Sequence, residues 1–153
     1  MLKGINPLLT PDLLWAIHAM GHGDTIAIVD GNYPATADAV NRPVIMAPSS
    51  DVIEVVTAVL QVMPLDGADS VQFLAKRTGL SATEATPRAQ KLAEVLSSSG
   101  DMNLDADVLE GSLSKSSFRE QVRSAFVVVA TIDPLHWGCF TLKKGVLPEP
   151  EMD

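Results

Sequence analysis

A histidine held between two glycines is the residue of this chain with the clearest chemical use. In Met20-Gly21-His22-Gly23-Asp24 the imidazole lies between a helical segment and a short apolar run. The glycines relax the backbone and leave open space around the ring. A helix C-terminus favours the imidazolium, which suits His22 to donate a proton near neutral pH. Asp30 ends the apolar run, where α/β folds place a ligand crevice beyond the carboxyl end of a strand. The plain alternative is a structural histidine in a turn, with Asp24 and Asp30 capping local amides.

Other candidates are scattered. His18 lies inside the first helical segment, where packing is its ordinary role, and His136 lies in a turn beside Trp137, where exposure is. Trp137 precedes Gly138 at the start of a late strand, so its indole either stacks on a ring-shaped ligand or packs in the core. Lys115, in the polar run Ser112 to Ser117, contacts a hydroxyl-rich ligand or faces solvent. Cys139 is the only cysteine, and its apolar strand suits an inert buried thiol. With one cysteine, neither an intrachain disulfide nor a paired-cysteine metal site can form. The histidines lack metal-ligand spacing. No phosphate loop, Gly-x-Gly-x-x-Gly fingerprint, His-Glu-x-x-His motif or Gly-x-Ser-x-Gly elbow is present. No metal and no cofactor is expected.

The elements that must position these residues are well punctuated. Thr10, Pro11 and Asp12 start a helix whose apolar face is Leu13, Leu14, Ile17 and Met20, with Trp15 packed in or beside it and Gly21 as a left-handed cap. Thr25 to Val29 reads as a buried strand ending at the turn Asp30-Gly31-Asn32. Short strands are expected over 43–46 and, more weakly, 70–74. Helices are expected over 52–63 and from Thr86-Pro87 to about Leu96, stopping before Gly100. The capping box Ser117 to Glu120 predicts another over 118–124. Phe126 to Thr131 and Cys139 to Leu142 read as the last strands, paired as a hairpin.

Interleaved helices and strands define an α/β fold: a single layered domain, its mixed β-sheet carrying helices on its faces. At 153 residues, 46% of them hydrophobic and 20% charged, the chain is sized for one core. A net charge of -8 opposes nucleic acid and anionic membranes. No run reaches the roughly 18 apolar residues of a membrane span, and the start is not a signal peptide, so a cytoplasmic protein is expected. The end, 148–153, reads as a solvated acidic tail.

These segments resemble the RbsD/FucU family of sugar mutarotases, the fucose-type branch most closely. The resemblance rests on Met1 to Leu9, Pro11-Asp12-Leu13-Leu14, Met20-Gly21-His22-Gly23-Asp24 and Asp30 with Tyr33-Pro34-Ala35. Pro64-Leu65-Asp66, Ala125-Phe126 and Leu142-Lys143-Lys144-Gly145-Val146 extend it over residues 1–147, although 36–110 is only loosely similar. It implies an RbsD-like fold and a cofactor-free isomerase that interconverts anomers, or pyranose and furanose forms, of a monosaccharide such as L-fucose. It implies His22 as proton donor, Asp30 as substrate ligand, and a ring-shaped homo-oligomer, typically a decamer, with sites near subunit boundaries. Lys115 stands where the family has an arginine, ahead of Ser116-Ser117-Phe118-Arg119-Glu120-Gln121 in place of Phe-x-Phe-Tyr-Glu-Arg. Trp137-Gly138-Cys139 stands for its Tyr-Gly-Asn. Lysine keeps the charge without the planar fork, and the second change removes a phenol and an amide. The alternative these changes raise is a sugar-binding or transport-associated module of the same fold with lost or changed catalysis.

Overall fold

In the computed structural model, which describes residues 2–67, 70–75, 86–98 and 112–149, the first helix starts as its sequence indicates. The Leu13 amide donates to the Thr10 hydroxyl at 3.3 Å, and Pro11 opens α1 (Pro11–Ala19). Leu13, Ala16 and Ile17 form its buried face, whereas Trp15 is 64% exposed and does not pack. The helix ends in an extended Met20 and not in a left-handed Gly21; the positive φ falls on Gly23, at 85°. Gly21 instead donates its amide to the Asp24 carboxylate at 2.8 Å.

The chain then enters β1 (Thr25–Val29). This strand pairs in parallel with β5 (Val127–Ala130) and antiparallel with β6 (Phe140–Lys143). The whole sheet runs β2 (Val44–Met46), β5, β1, β6, β3 (Val71–Leu74), β4 (Ser112–Leu113). The expected hairpin between the last two strands is therefore wrong: β1 lies between them. Hairpins need short connections, and residues 131–139 are long enough to pass over the end of β1 instead. That crossing lays Trp137, Gly138 and Cys139 above Asp30. The sheet is mixed as expected, with β1, β5 and β2 parallel and β6 reversed.

Helices cover both faces, which is why the central strands are apolar on both sides. Alternate residues of β1 point in opposite directions. Ile26 and Ile28 meet α1, α3 (Val52–Leu60) and α4 (Pro87–Ser98), while Ala27 and Val29 meet α2 (Ala35–Ala39) and α5 (Lys115–Ser124). Helix α5 begins a turn earlier than its capping box suggests. Ser114 is the cap, its hydroxyl accepting from the Ser117 amide at 3.2 Å, and Phe118 and Val122 are its buried side chains. Helix α3 stops at Leu60, short of Met63. The Thr86 hydroxyl accepts from the Ala89 amide at the start of α4; Gly100, its expected stop, lies outside the described residues. Leu147 to Glu149 are exposed, and the rest of the acidic tail lies outside the described residues. No helix among the described residues is long and apolar enough to cross a membrane.

Candidate functional site

Strand β1 delivers Asp30 to the floor of a cavity of about 320 Å³ at the carboxyl edge of the sheet. Asp30 is only 5% exposed. Its Oδ1 accepts from the Asn32 amide at 2.9 Å, and its Oδ2 from the Gly138 amide at 3.1 Å and the Cys139 thiol at 3.3 Å. These donors compensate the burial of a carboxylate. Burial, and then the charge of Asp30, push the Cys139 thiol far above its ordinary pKa, so it stays protonated and donates. Gly138 sits where a side chain barely fits, since a Cβ there would lie 3.1 Å from Val52 Cγ1 and 3.6 Å from Asp30 Cβ.

Trp137 adopts φ 66°, a left-handed conformation that is uncommon and costly for a bulky residue. It aims the indole at the cavity. Lys115, the first residue of α5, places its ammonium 5.5 Å from the indole centroid, within cation–π range. One turn along α5, Arg119 makes a double hydrogen bond to Asp38, Nε to Oδ2 and Nη2 to Oδ1, each 2.8 Å. Burial opposes ionisation of Asp38, but Arg119 hydrogen bonding, the Tyr33 contact and the charges of Arg119 and Arg123 outweigh it and hold the carboxyl below the usual range. The Tyr33 hydroxyl is buried beside Asp38 without a hydrogen bond of ordinary geometry. Burial and the Asp38 carboxylate push its pKa up, so it remains neutral. Tyr33, Arg119, Asn32 and the exposed His136 all line the cavity.

An ion cluster clamps the overlying loop from below. Arg88 of α4 reaches Asp133 at 2.5 Å and Asp51 at 2.6 Å. Asp133, wholly buried, also accepts from the Val52 and Leu135 amides at 3.0 and 2.9 Å. The turn carrying His136, Trp137 and Gly138 is thus tied to α3 and α4.

His22 is not at this cavity. It precedes β1 and Asp30 follows it, and a five-residue strand spans roughly 16 Å. Its Nε2 lies 2.7 Å from Asp66 Oδ1, and Lys143 Nζ pairs with the other oxygen at 3.0 Å. The His22 hydrogen bond, then that of Lys143, holds the Asp66 carboxyl below the usual range. Asp66 is fixed by its amide bond to the Lys143 carbonyl at 3.2 Å and by the close passage of Gly145, where a Cβ would strike the Leu65 carbonyl. Asp30 therefore does not orient His22 within a chain; Asp66 does.

Of the residues expected at the site, the structure gathers Asp30, Lys115, Trp137 and Cys139 at the cavity, sets Gly138 behind Asp30, and leaves His22 at the opposite end of β1. Sequence reasoning missed Asp66 as a partner, although Pro64-Leu65-Asp66 was visible as a family feature. It also missed Arg119 and Asp38 as a pair, and His136 as a lining residue. His18 stands on the exposed side of α1. Among the described residues no three or more His, Cys, Asp or Glu side chains converge on a metal-sized space.

The domain thus carries a cavity at the carboxyl edge of its α/β sheet and a carboxylate-paired histidine at the other end of β1. The RbsD / FucU transport protein family model matches residues 3–147. The chain belongs to that family. The fucose mutarotase of Danio rerio is 33% identical over 99% of this chain and 97% of its own. That of Mus musculus is 35% identical over 95% of each. The fucose mutarotase of Streptococcus pneumoniae, solved in complex with L-fucose, superposes with a TM-score of 0.81 at 28% identity, over 96% of this chain and 100% of that one.

Proposed function

We propose that the chain is a monosaccharide mutarotase whose cavity around Asp30 holds the sugar while His22 of a second copy moves the proton. Full-length identity to curated fucose mutarotases, which are isomerases, makes it an enzyme of this kind. The observation that carries the assignment of the cavity is the convergence of Asp30, Lys115, Trp137 and Cys139 from β1, α5 and the loop between β5 and β6 on one monosaccharide-sized space.

Mutarotation removes the proton from the anomeric hydroxyl while the ring oxygen gains one. The ring opens, rotation about the C1–C2 bond turns the carbonyl face, and the steps reverse. Oxidation state is unchanged and no cofactor is needed. Asp66 occupies His22 Nε2, so Nδ1 is the nitrogen free to serve the ring oxygen, directly or through water. Asp30 retains acceptor capacity for a hydroxyl beside the bonds it already receives, and Lys115 donates to another oxygen.

His22 and the cavity lie at opposite ends of β1, so one face of a copy must meet a different face of the next. Such heterologous contacts close into rings when the rotation permits, the assembly the family resemblance implies. The second reading, a binding module without turnover, is favoured by the absence of His22 from its own cavity.

NMR magnetisation exchange between anomeric protons of L-fucose, D-ribose, L-rhamnose, D-galactose and D-arabinose tests the reading. At least one sugar exchanges faster with protein present, and His22→Gln lowers that acceleration by about 10²- to 10⁴-fold. Full acceleration by His22→Gln sinks the role of His22. Line broadening without exchange selects the binding module.

A further inference from the structure

The cavity sets two cationic side chains, Lys115 and Arg119, against a single lining carboxylate, Asp30. Among the described residues Lys115 has no carboxylate partner; its ammonium is held by the Trp137 ring. Arg119 meets Asp38 through Nε and Nη2, which leaves Nη1 unpaired among the described residues. Asp38 is shared with Arg123, at 3.4 Å, so a single carboxylate faces two guanidinium groups and positive charge is left over. Against these stands Asp30, already receiving two amides and a thiol. In a chain with a formal net charge of -8, such a lining is not an average sample of the surface.

Sugar hydroxyls both donate and accept, so Asn32, Tyr33 and Asp30 serve a neutral ring but leave the Lys115 charge without a carboxylate among the described residues. Carboxylate and phosphate groups only accept, and their bonds to charged donors are roughly twice as strong as neutral ones. Trp137 only donates, and the Cys139 thiol is committed to Asp30. The volume of about 320 Å³ lies at the small end of ligand pockets and suits one sugar ring with a short substituent.

We propose, resting on the mutarotase reading, that the cavity selects a monosaccharide bearing an anionic group, a uronate carboxylate or a sugar phosphate, held by Lys115 and Arg119 Nη1. Trp137 is then a positioning residue that holds the Lys115 charge at the cavity.

The test is calorimetric binding to the full chain of D-galacturonate and D-galactose 6-phosphate against D-galactose and L-fucose, with anomeric exchange recorded in parallel. At least one anion binds about tenfold tighter than D-galactose or better. The preference falls as salt is raised. Lys115→Met removes it, and Lys115→Arg retains it. The two anions distinguish a carboxylate from a phosphate ligand. Neutral sugars binding as tightly as both anions, or an anion preference unchanged in Lys115→Met, overturns the proposal. Acceleration of neutral-sugar exchange would then leave the mutarotase reading standing. Anion-selective binding with no exchange for any sugar upholds the charge selectivity and overturns the mutarotase reading instead.

Discussion

Replacing Arg88 with methionine tests whether the loop over the cavity is held by a buried ion pair. Arg88 is 12% exposed in its side chain and Asp133 not at all. Removing one partner of a buried pair typically costs about 3–5 kcal/mol, because the other charge is left uncompensated. Asp133 keeps the Val52 and Leu135 amides, which places the expected loss near the lower end, about 3 kcal/mol. Asp51 contributes less, since it keeps Lys91 and the Ile53 amide. For a chain of this size each kcal/mol shifts Tm by roughly 2–4 °C, so Arg88→Met should lower Tm by about 6–12 °C. Calorimetric melting at fixed protein concentration reads the shift, and urea titration checks the free energy. The double variant Arg88→Met with Asp133→Asn should recover part of the loss, because it removes the orphaned charge. A Tm within about 2 °C of the parent for Arg88→Met, with no recovery in the double variant, would show that the amides alone hold the loop.

Two further outcomes follow from the ionisable pairs. Asp66→Asn leaves His22 in place but removes the carboxylate that holds its Nε2, so anomeric exchange should fall by roughly tenfold, less than for His22→Gln; an unchanged rate would refute the orienting role. Asp38 has a folded-state pKa below its unfolded value of about 3.9. Its stabilisation is therefore complete above that pH and lost as pH falls through the lower folded value. Arg119→Met should bring the acid unfolding midpoint to higher pH, and an identical acid limb in parent and variant would contradict the pairing.

The parts of the fold that are legible in the sequence are those with local signals. Thr10-Pro11-Asp12 marks a helix start by chemistry contained within one turn, and Thr25 to Val29 is too β-branched and apolar to be anything but a buried strand. Strand order is not local. Nothing in residues 126–142 states that β1 intervenes between the final strands, because all three are buried on both faces and no alternation distinguishes one neighbour from another. Helix α2 is a five-residue segment without a side-chain cap, and β4 is two residues long, too short for periodicity to register. The start of α5 reads a turn late because Ser117 with Glu120 fits a capping box, while the serine that caps the helix is Ser114. At the site, Asp30, Lys115 and Trp137 stand out from their sequence neighbours and again in the family pattern, whereas the His22–Asp66 contact joins residues 44 apart and needs the sheet to be assembled before it exists. His136 was read as exposed, and it is, but exposure and membership of a cavity lining are compatible.

Asp30 gives the cavity an uneven capacity for evolutionary change. Its carboxylate pins the left-handed turn at Trp137 and Gly138, so the residue placed to touch a sugar hydroxyl is also one the fold depends on. A population of Lys115 variants would keep its protein levels and alter only what is bound, because that exposed side chain rests on an indole at the rim. A population of Asp30 variants would lose the protein along with the chemistry. New ligands would thus be acquired along the α5 rim, while the floor at the end of β1 stays fixed by the requirement to fold.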